Sequence, residues 1–321
     1  MPSLTADLED ELESHRRELT GFCYRMLGSG SEAEDAVQET MVRAWRAIDG
    51  FEGRSSLRSW LYRIANNVCI DMIRSPQRRA RPMDMGPSTA TADVVLGAGR
   101  PEQEFVQPIA DHRIIDLSGD PAQVSAERES VRLAFVATLQ HLPARQRSVL
   151  ILCDVLRWQA SEVAELLDTS VAAVNSAHQR ARATLADMET EPLDPTVDPA
   201  HRALLDRYVD AFERYDIPAL VTLLRDDVVM SMPPWDTWLR GKEDVGAWFL
   251  GQGIVCKDGR LLPIEVNGTA GYGNYHLVSP GHWEPWGIQV IEVAGGRIVG
   301  HHNYIDRELF AEFGLPSALD A

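Results

Sequence analysis

Residues 31–74 read SEAEDAVQETMVRAWRAIDGFEGRSSLRSWLYRIANNVCIDMIR, and this stretch decides how the N-terminal part of the chain folds. Ala33, Val37, Met41, Ala44 and Ile48 recur at spacings of three and four, which predicts a helix over 32–48 with one apolar stripe. Ser31 stands where an N-cap belongs, and Glu32, Glu34 and Asp35 suit the positive end of that helix. The opposite face carries Asp35, Gln38, Glu39, Arg43 and Arg46, while Trp45 reads as core or interface, with core favoured. A second helix is predicted over 57–75, with Leu61, Ile64, Ala65, Val68 and Met72 toward the core. Its other face presents Arg63, Asn67, Ile70 and Arg74, flanked by Asn66 and Asp71. Arginine suits phosphates and asparagine suits adenine edges. Two adjacent asparagines in mid-helix are costly by propensity, so a compensating contact is expected. An acidic-amide helix joined by a Gly/Ser loop to an arginine-asparagine helix suits a module that grips a protein with one and nucleic acid with the other. Solvated faces laced with salt bridges are the plain alternative.

The connecting loop 49–56, DGFEGRSS, has the composition to cradle an extruded base, with Phe51 as a stacking residue. Arg54, Ser56 and Arg58 extend the nucleic-acid candidates into the start of the second helix. From Met41 to Pro82 nine arginines face only Asp49, Glu52 and Asp71, a basic patch in a chain whose net charge is −17. A protein that binds DNA alone by neutralising phosphates is usually basic, so DNA binding here is expected to need a partner that presents the DNA.

Composition narrows the classes further. A chain of 321 residues has room for two or three domains, and its 45% hydrophobic and 25% charged content excludes global disorder. Cys23, Cys69, Cys153 and Cys256 form no CxxC pair, so buried thiols are expected rather than zinc or disulfides. No apolar segment is long enough to span a bilayer, so the expectation is a cytoplasmic protein without a membrane partner. No cofactor and no metal are expected.

Helical patterning covers 7–82. Residues 83–125 break it with Pro87, Pro101, Pro108 and Pro121 and with seven acids against Arg100 and Arg113. They read as an acidic linker with at most short ordered pieces such as 104–106. Helical periodicity resumes over 126–190, and the three prolines of EPLDPTVDP mark a second linker at 191–200. From 201 to 321 one helix over 202–215 precedes alternating runs at 227–232, 261–267, 287–293 and 298–304, read as an antiparallel sheet with a hairpin at Gly295-Gly296.

In the 126–190 segment, LPARQRSVLILCDVLRWQASEVAELLDTSVAAVNSAHQRARATL has helix-turn-helix spacing. The turn Asp168-Thr169-Ser170 supplies the cap for a helix over 171–185 whose core stripe is Val171, Val174, Ala177, Ala181 and Leu185. Asn175, Ser176, Gln179, Arg180 and Arg182 form its outer face and, with Ser170, suit base and phosphate contacts; His178 serves packing or DNA. Such spacing alone also fits a helical hairpin of pure packing value.

The first quoted stretch resembles region 2 of bacterial sigma factors, and the second is similar over its length to sigma region 4. Two such modules in this order look like the extracytoplasmic-function group. The resemblance implies that Asp35, Gln38, Glu39 and Arg43 dock on the clamp helices of core RNA polymerase, with the flap as a further polymerase contact. It implies that the arginine-asparagine helix engages and melts the −10 promoter element and that the 171–185 helix reads the −35 element. In that family the linker threads toward the polymerase active-site cleft. LLDRYVDAFERYDIPALVTLLRDDVVMSMPPW, from residue 204, resembles the opening of the SnoaL-like fold, a curved sheet wrapped by helices into a cone. The fold class expected is therefore multidomain: two all-α domains followed by an α+β cone-shaped domain.

Five of the eight tryptophans fall in this last domain. Trp235, Trp238, Trp248, Trp283 and Trp286, with Phe249, Tyr304, His276, His282, His302 and Asp236, are candidates for a pocket or an interface. Packing alone also accounts for them. Some relatives of the fold are enzymes with an Asp/His pair, but no motif fixes one here, and His301-His302 has no third ligand at metal spacing. The expectation is a non-enzymatic sigma factor whose third domain holds the first two through intramolecular contacts, with a small-molecule ligand left open. The competing class is a one-component ligand-sensing DNA-binding regulator.

Overall fold

Ser29, two residues earlier than expected, opens the acidic-amide helix: its side chain accepts from the Glu32 amide and the helix runs Gly30–Ala47. Gly28 just before it ends the preceding helix in the left-handed region, at φ 75°. In a computed structural model the described residues are 10–51, 53, 55–73, 79–186, 191–196 and 198–320. They form two units: residues up to Arg79 with those from His112 to 186, and Ala80–Asp111 with those from Glu191 onward.

The first unit is all helix. Helices α1 (Arg16–Leu27), α2 (Gly30–Ala47) and α3 (Leu57–Met72) pack around Leu19, Phe22, Met26, Val37, Leu61 and Val68, so the region expected to be helical is a three-helix core. Cys23 and Cys69 are buried within it. Helix α3 stops at Met72, short of the expected 75, with Ile73 as its C-cap. Helices α4 (Pro121–Val131), α5 (Leu133–Gln140), α6 (Ala144–Leu150), α7 (Ala160–Leu166) and α8 (Val171–Ala186) follow, and α6 continues as one π-turn over Ile151–Val155. Helix α4 starts five residues before the expected end of the linker because Asp120 caps the amides of Ala122 and Gln123 and Pro121 fills the first helical position.

The second unit holds α9 (Pro199–Glu213), α10 (Ile217–Leu223), β1 (Leu224–Ser231), β2 (Trp238–Arg240), α11 (Lys242–Leu250), β3 (Arg260–Val266), β4 (Thr269–Ser279), β5 (His282–Ala294), β6 (Arg297–Tyr304), α12 (Leu309–Glu312) and β7 (Leu319–Asp320). The seven strands form one sheet in the order β2-β1-β6-β5-β4-β3, with β7 beside β5. All pairs are antiparallel except β1 and β6, which run parallel. Alternation within single strands carries no sign of which neighbour a strand will take, so the parallel pair was not legible. The core lies between α9–α11 and the sheet, around Tyr208, Phe212, Leu220, Val228, Trp248, Phe249 and Ile291. The hairpin turn is at Gly295 and Gly296, both with positive φ, and the Asp194 carboxylate accepts from both glycine amides.

The expected flexible linker differs most. Its first part, up to Asp111, belongs to the second unit and is hydrogen-bonded along its length, with Phe105, Val106, Ile109 and Ala110 buried. Ala110 bridges Val266, and Asn267 exchanges hydrogen bonds with Ile109. Its proline and acid content predicted at most short ordered pieces; the segment carries a helical turn at Pro82–Met85 and 3-10 turns at Thr91–Asp93, Glu102–Glu104 and Asp111–Arg113, and its extended backbone is satisfied by other elements of the second unit.

Candidate nucleic-acid interface

The exposed face of α2 reads Asp35, Gln38, Glu39, Val42, Trp45 and Arg46, spacings of three and four along one side. Trp45 is 42% exposed and Val42 37% exposed. Trp45 is therefore not core as expected; it sits one helical turn from Val42 on the polar face. Arg43 is tied to Glu39 at 2.7 Å and to Asp71 of α3 at 3.7 Å, which braces the acidic-amide face rather than leaving a free cation. An exposed aromatic and valine amid acids and amides is the make-up of a protein-docking face.

The arginine-asparagine helix is engaged within its own unit. Asn66 is 3% exposed, and its Oδ1 accepts from the Ser148 hydroxyl of α6 at 2.6 Å. That is the compensating contact for an asparagine in mid-helix. Arg63 donates from Nε to the Leu166 carbonyl at 3.2 Å and from Nη2 to the Glu165 carbonyl at 2.9 Å, at the C-terminal end of α7. A cation at the negative end of a helix is favourable. Arg58 pairs with Glu18 at 2.8 Å and lies over the rings of Tyr62 and Trp158 at 5.3 and 5.1 Å. Ser56 is the N-cap of α3, receiving the Ser59 amide, so its hydroxyl has a structural task. Asn67 remains exposed. Phe51 packs on Trp60, ring centroids 5.1 Å apart. Arg54 and Arg74 lie outside the described residues.

Two buried arginines reinforce this closure. Arg25, whose guanidinium burial lowers to about 10, donates to the Ser130 carbonyl and hydroxyl. Arg147 donates to the Met26 carbonyl, to Gln140 Oε1 at 2.6 Å, and to the Gln140 and Leu142 carbonyls at 3.1 Å. Sequence reasoning missed both: neither Arg25, in the apolar run 22–27, nor Arg147 carries a local mark of the distant partners that receive it.

The outer face of α8 is exposed. Asn175, Ser176, Gln179, Arg180 and Arg182 are exposed, and Arg180 Nη1 lies 2.5 Å from Ser176 Oγ. Ser170 accepts the Ala173 amide and caps the helix as expected. Val171, expected in the core stripe, is 44% exposed; Val174 and Ala181 are buried, and Ala177 and Leu185 are half-buried. Asp154 anchors α8 by accepting from His178 at 2.8 Å and from Arg182 at 2.6 and 2.9 Å. Burial raises the Asp154 carboxyl, but the hydrogen bonds from Arg182 and His178 outweigh it and hold it below the usual range. His178 is thus engaged within its own unit.

In the second unit the expected pocket residues do not converge. Trp248 is core, Trp283 donates to the Asp258 carbonyl under Arg260, and Trp286 stacks on His276 at 4.2 Å. Trp235 and Trp238 donate to the carbonyls of Gly97 and Gly86, and Asp236 pairs with Arg100 at 2.8 Å. His282 pairs with Asp320, and Tyr304 lines a small cleft with Phe105, Pro233 and Leu309. His302 is held between Ser231 Oγ at 2.8 Å and Glu292 at 3.4 Å. Sequence reasoning missed the polar chain inside the cone: Tyr208 hydroxyl to Gln289 at 2.8 Å and to His301 at 2.7 Å, then His301 to Asn303 at 3.0 Å. Burial, with a smaller effect of neighbouring His302, pushes His301 down to about 3. Among the described residues no cluster of three or more His, Cys, Asp or Glu is placed to hold a metal, and no helix is long and apolar enough to cross a membrane.

A three-helix module and a helix-turn-helix module in one unit, with a separate cone-shaped domain, define the class. The Sigma-70 region 2 model matches residues 12–79, the Sigma-70 region 4 model residues 132–185, and the SnoaL-like domain model residues 205–301. The chain is 40% identical over 98% of its length to ECF RNA polymerase sigma factor SigG of Mycobacterium tuberculosis, of which it covers 85%. It is 29% identical over 75% of its length to SigJ of the same species, covering 72% of that protein. The crystal structure of Mycobacterium tuberculosis SigJ matches 96% of this chain and 99% of its own at a TM-score of 0.62 and 24% identity, a likeness of fold. The chain belongs to the extracytoplasmic-function RNA polymerase sigma factors, with a SnoaL-like domain fused C-terminally.

Proposed function

We propose that this chain directs core RNA polymerase to promoters, docking through the α2 face and reading the −35 element with α8. The observation that carries the reading is the outward face of α8, where Asn175, Gln179, Arg180 and Arg182 stand exposed on a helix anchored by Asp154. On α2, Asp35, Gln38, Glu39, Val42 and Trp45 dock on the polymerase clamp helices. On α3, Arg58, Arg63, Asn66 and Asn67 engage the −10 element, and Arg54, Ser56 and Arg74 are assigned to the same contact on their chemistry in the sequence. The net charge of −17 makes that engagement conditional on polymerase. The protein acts in the cytoplasm by positioning rather than by catalysis.

Arg63 and Asn66 are occupied by α7 and α6. The described arrangement is therefore a resting state, and DNA engagement requires the two modules to part. The C-terminal domain modulates that step. A pull-down with core polymerase followed by run-off transcription tests the reading; a chain that neither binds core nor supports transcription would exclude it.

A second reading concerns the C-terminal domain alone. Asn274 Oδ1 and His276 Nε2 are buried without a hydrogen-bond partner. Unpaired buried polar atoms favour a small polar ligand there. Calorimetric titration with candidate metabolites on the full chain, with Asn274→Leu as control, tests it.

A further inference from the structure

The segment joining the two sigma modules makes a closed excursion. The Ala80 amide donates to the Glu104 carbonyl at 2.9 Å and the Val106 amide donates to the Ala80 carbonyl at 3.2 Å, so Ala80 and Phe105 are neighbours in a parallel bridge. Everything between them is a loop whose length adds nothing to the path from one module to the other.

The loop is held open against the C-terminal domain. Trp238 Nε1 donates to the Gly86 carbonyl and Trp235 Nε1 to the Gly97 carbonyl, each at 2.8 Å. Thr89 and Arg100 donate their amides to the Trp238 and Pro234 carbonyls. Thr91 bonds Asp244 through both amide and hydroxyl, and Gln252 reaches the Val94 carbonyl. Gly99 lies so close that an added Cβ would meet the Pro234 ring at 2.8 Å. Recognition is thus directed mostly at backbone, which fits a glycine-, alanine- and proline-rich strap. Between 86 and 104 only Val94 is buried. A segment fixed by hydrogen bonds with little apolar burial opens at low cost.

Magnitudes decide what that opening does. With the Ala80–Phe105 bridge closed, the tether to α4 is residues 106–120, at most about 50 Å when fully extended. With it open, residues 80–120 reach about 135 Å. Elements centred about 25 base pairs apart are separated by about 85 Å of duplex.

We propose that residues 80–105 are a stored length of tether, clasped on the C-terminal domain by Trp235 and Trp238, and that unclasping is required before both promoter elements are read together. The domain's surface around β2 and the start of α11 is accordingly a docking site for this chain's own linker. The proposal rests on the sigma-factor reading above and names what the third domain holds.

Hydrogen exchange on the full-length chain, alone and assembled with core polymerase and promoter DNA, tests it. The amides of Ala80, Thr89, Thr91, Arg100 and Val106 are expected to be protected in the free chain and to exchange at least 100-fold faster in the promoter complex. Persistent protection in an assembled complex, or no protection in the free chain, overturns the stored tether and leaves the sigma reading intact. Failure to assemble with polymerase overturns both. Independently, Trp235→Phe with Trp238→Phe keeps the rings but removes both donors. It is expected to raise transcription at limiting sigma about tenfold, as two lost neutral hydrogen bonds allow; unchanged transcription argues against the clasp.

Discussion

Arg63 caps Leu166: the guanidinium of the arginine-asparagine helix donates to a carbonyl at the end of the first helix of the helix-turn-helix, 3.2 Å away. A side chain suited to phosphate is thereby spent on the neighbouring module. The same is true of Asn66, which meets Ser148 instead of a base. Both modules keep their folds in this arrangement, and what is withheld is the α3 face proposed above for DNA.

Removing a partner that does not itself face DNA should loosen this closure. Ser148→Ala leaves the buried Asn66 oxygen without a donor, which costs about 1–3 kcal/mol. The population of separated modules is expected to rise about tenfold or more. Spin labels at exposed Ala47 and Ala183 would report it; a distance distribution identical to wild type counts against the hypothesis.

The outer face of α8 should carry sequence discrimination. Gln179→Ala or Arg180→Ala is expected to cost about 1–3 kcal/mol at a −35 base pair while leaving affinity for core polymerase unchanged. Competition binding of the assembled holoenzyme against single-base promoter variants measures this. Equal losses on all sequences would instead assign these side chains to phosphates.

Trp45 is exposed on a helix whose core contacts lie opposite. We expect Trp45→Ala to weaken core polymerase binding by about 2 kcal/mol, the scale of a buried aromatic anchor, with little change in thermal stability. A large fall in melting temperature with unaltered polymerase affinity would show that the ring packs rather than docks.

The cone should be acid-labile. Burial holds His301 at about 3, and burial with the Arg307 charge holds His276 at about 4, both below the usual 6.5. Below 6.5 the unfolded chain takes up protons that the folded one refuses, so stability falls as the pH drops from 6.5 toward those values. Each histidine contributes up to about 1.4 kcal/mol per pH unit in that window. His276→Phe keeps a ring against Trp286 and removes the titrating group, so its stability relative to wild type should improve between pH 6 and 4.5 in denaturant titrations. A constant difference across that range would refute the assignment.

Much of this architecture was legible because it rests on local rules. The apolar spacing of Ala33, Val37 and Ala44 and the Ser170 cap identified their helices, and the alternation at 287–293 and 298–304 identified two strands. What escaped depends on partners distant in sequence. Asn66 and Arg63 looked like DNA contacts because their chemistry suits it, and nothing local reveals Ser148 or Leu166. Trp235 and Trp238 looked like pocket walls because tryptophan is apolar, yet their indole N–H groups serve a glycine-rich strap. His301 was weighed only as a metal ligand, because a buried histidine's hydrogen-bonding role is recognised only by its neighbours Tyr208 and Asn303.

The strap also has a history during synthesis. Residues 86–104 leave the ribosome long before Trp235, Trp238 and Asp244, the groups that hold them. At about 5–20 residues per second the interval is of order ten seconds or more. For that interval a nascent chain carries both sigma modules, or the first alone, on an unrestrained tether. On the clasp proposed above, the tether is restrained only once Trp235, Trp238 and Asp244 have been synthesised.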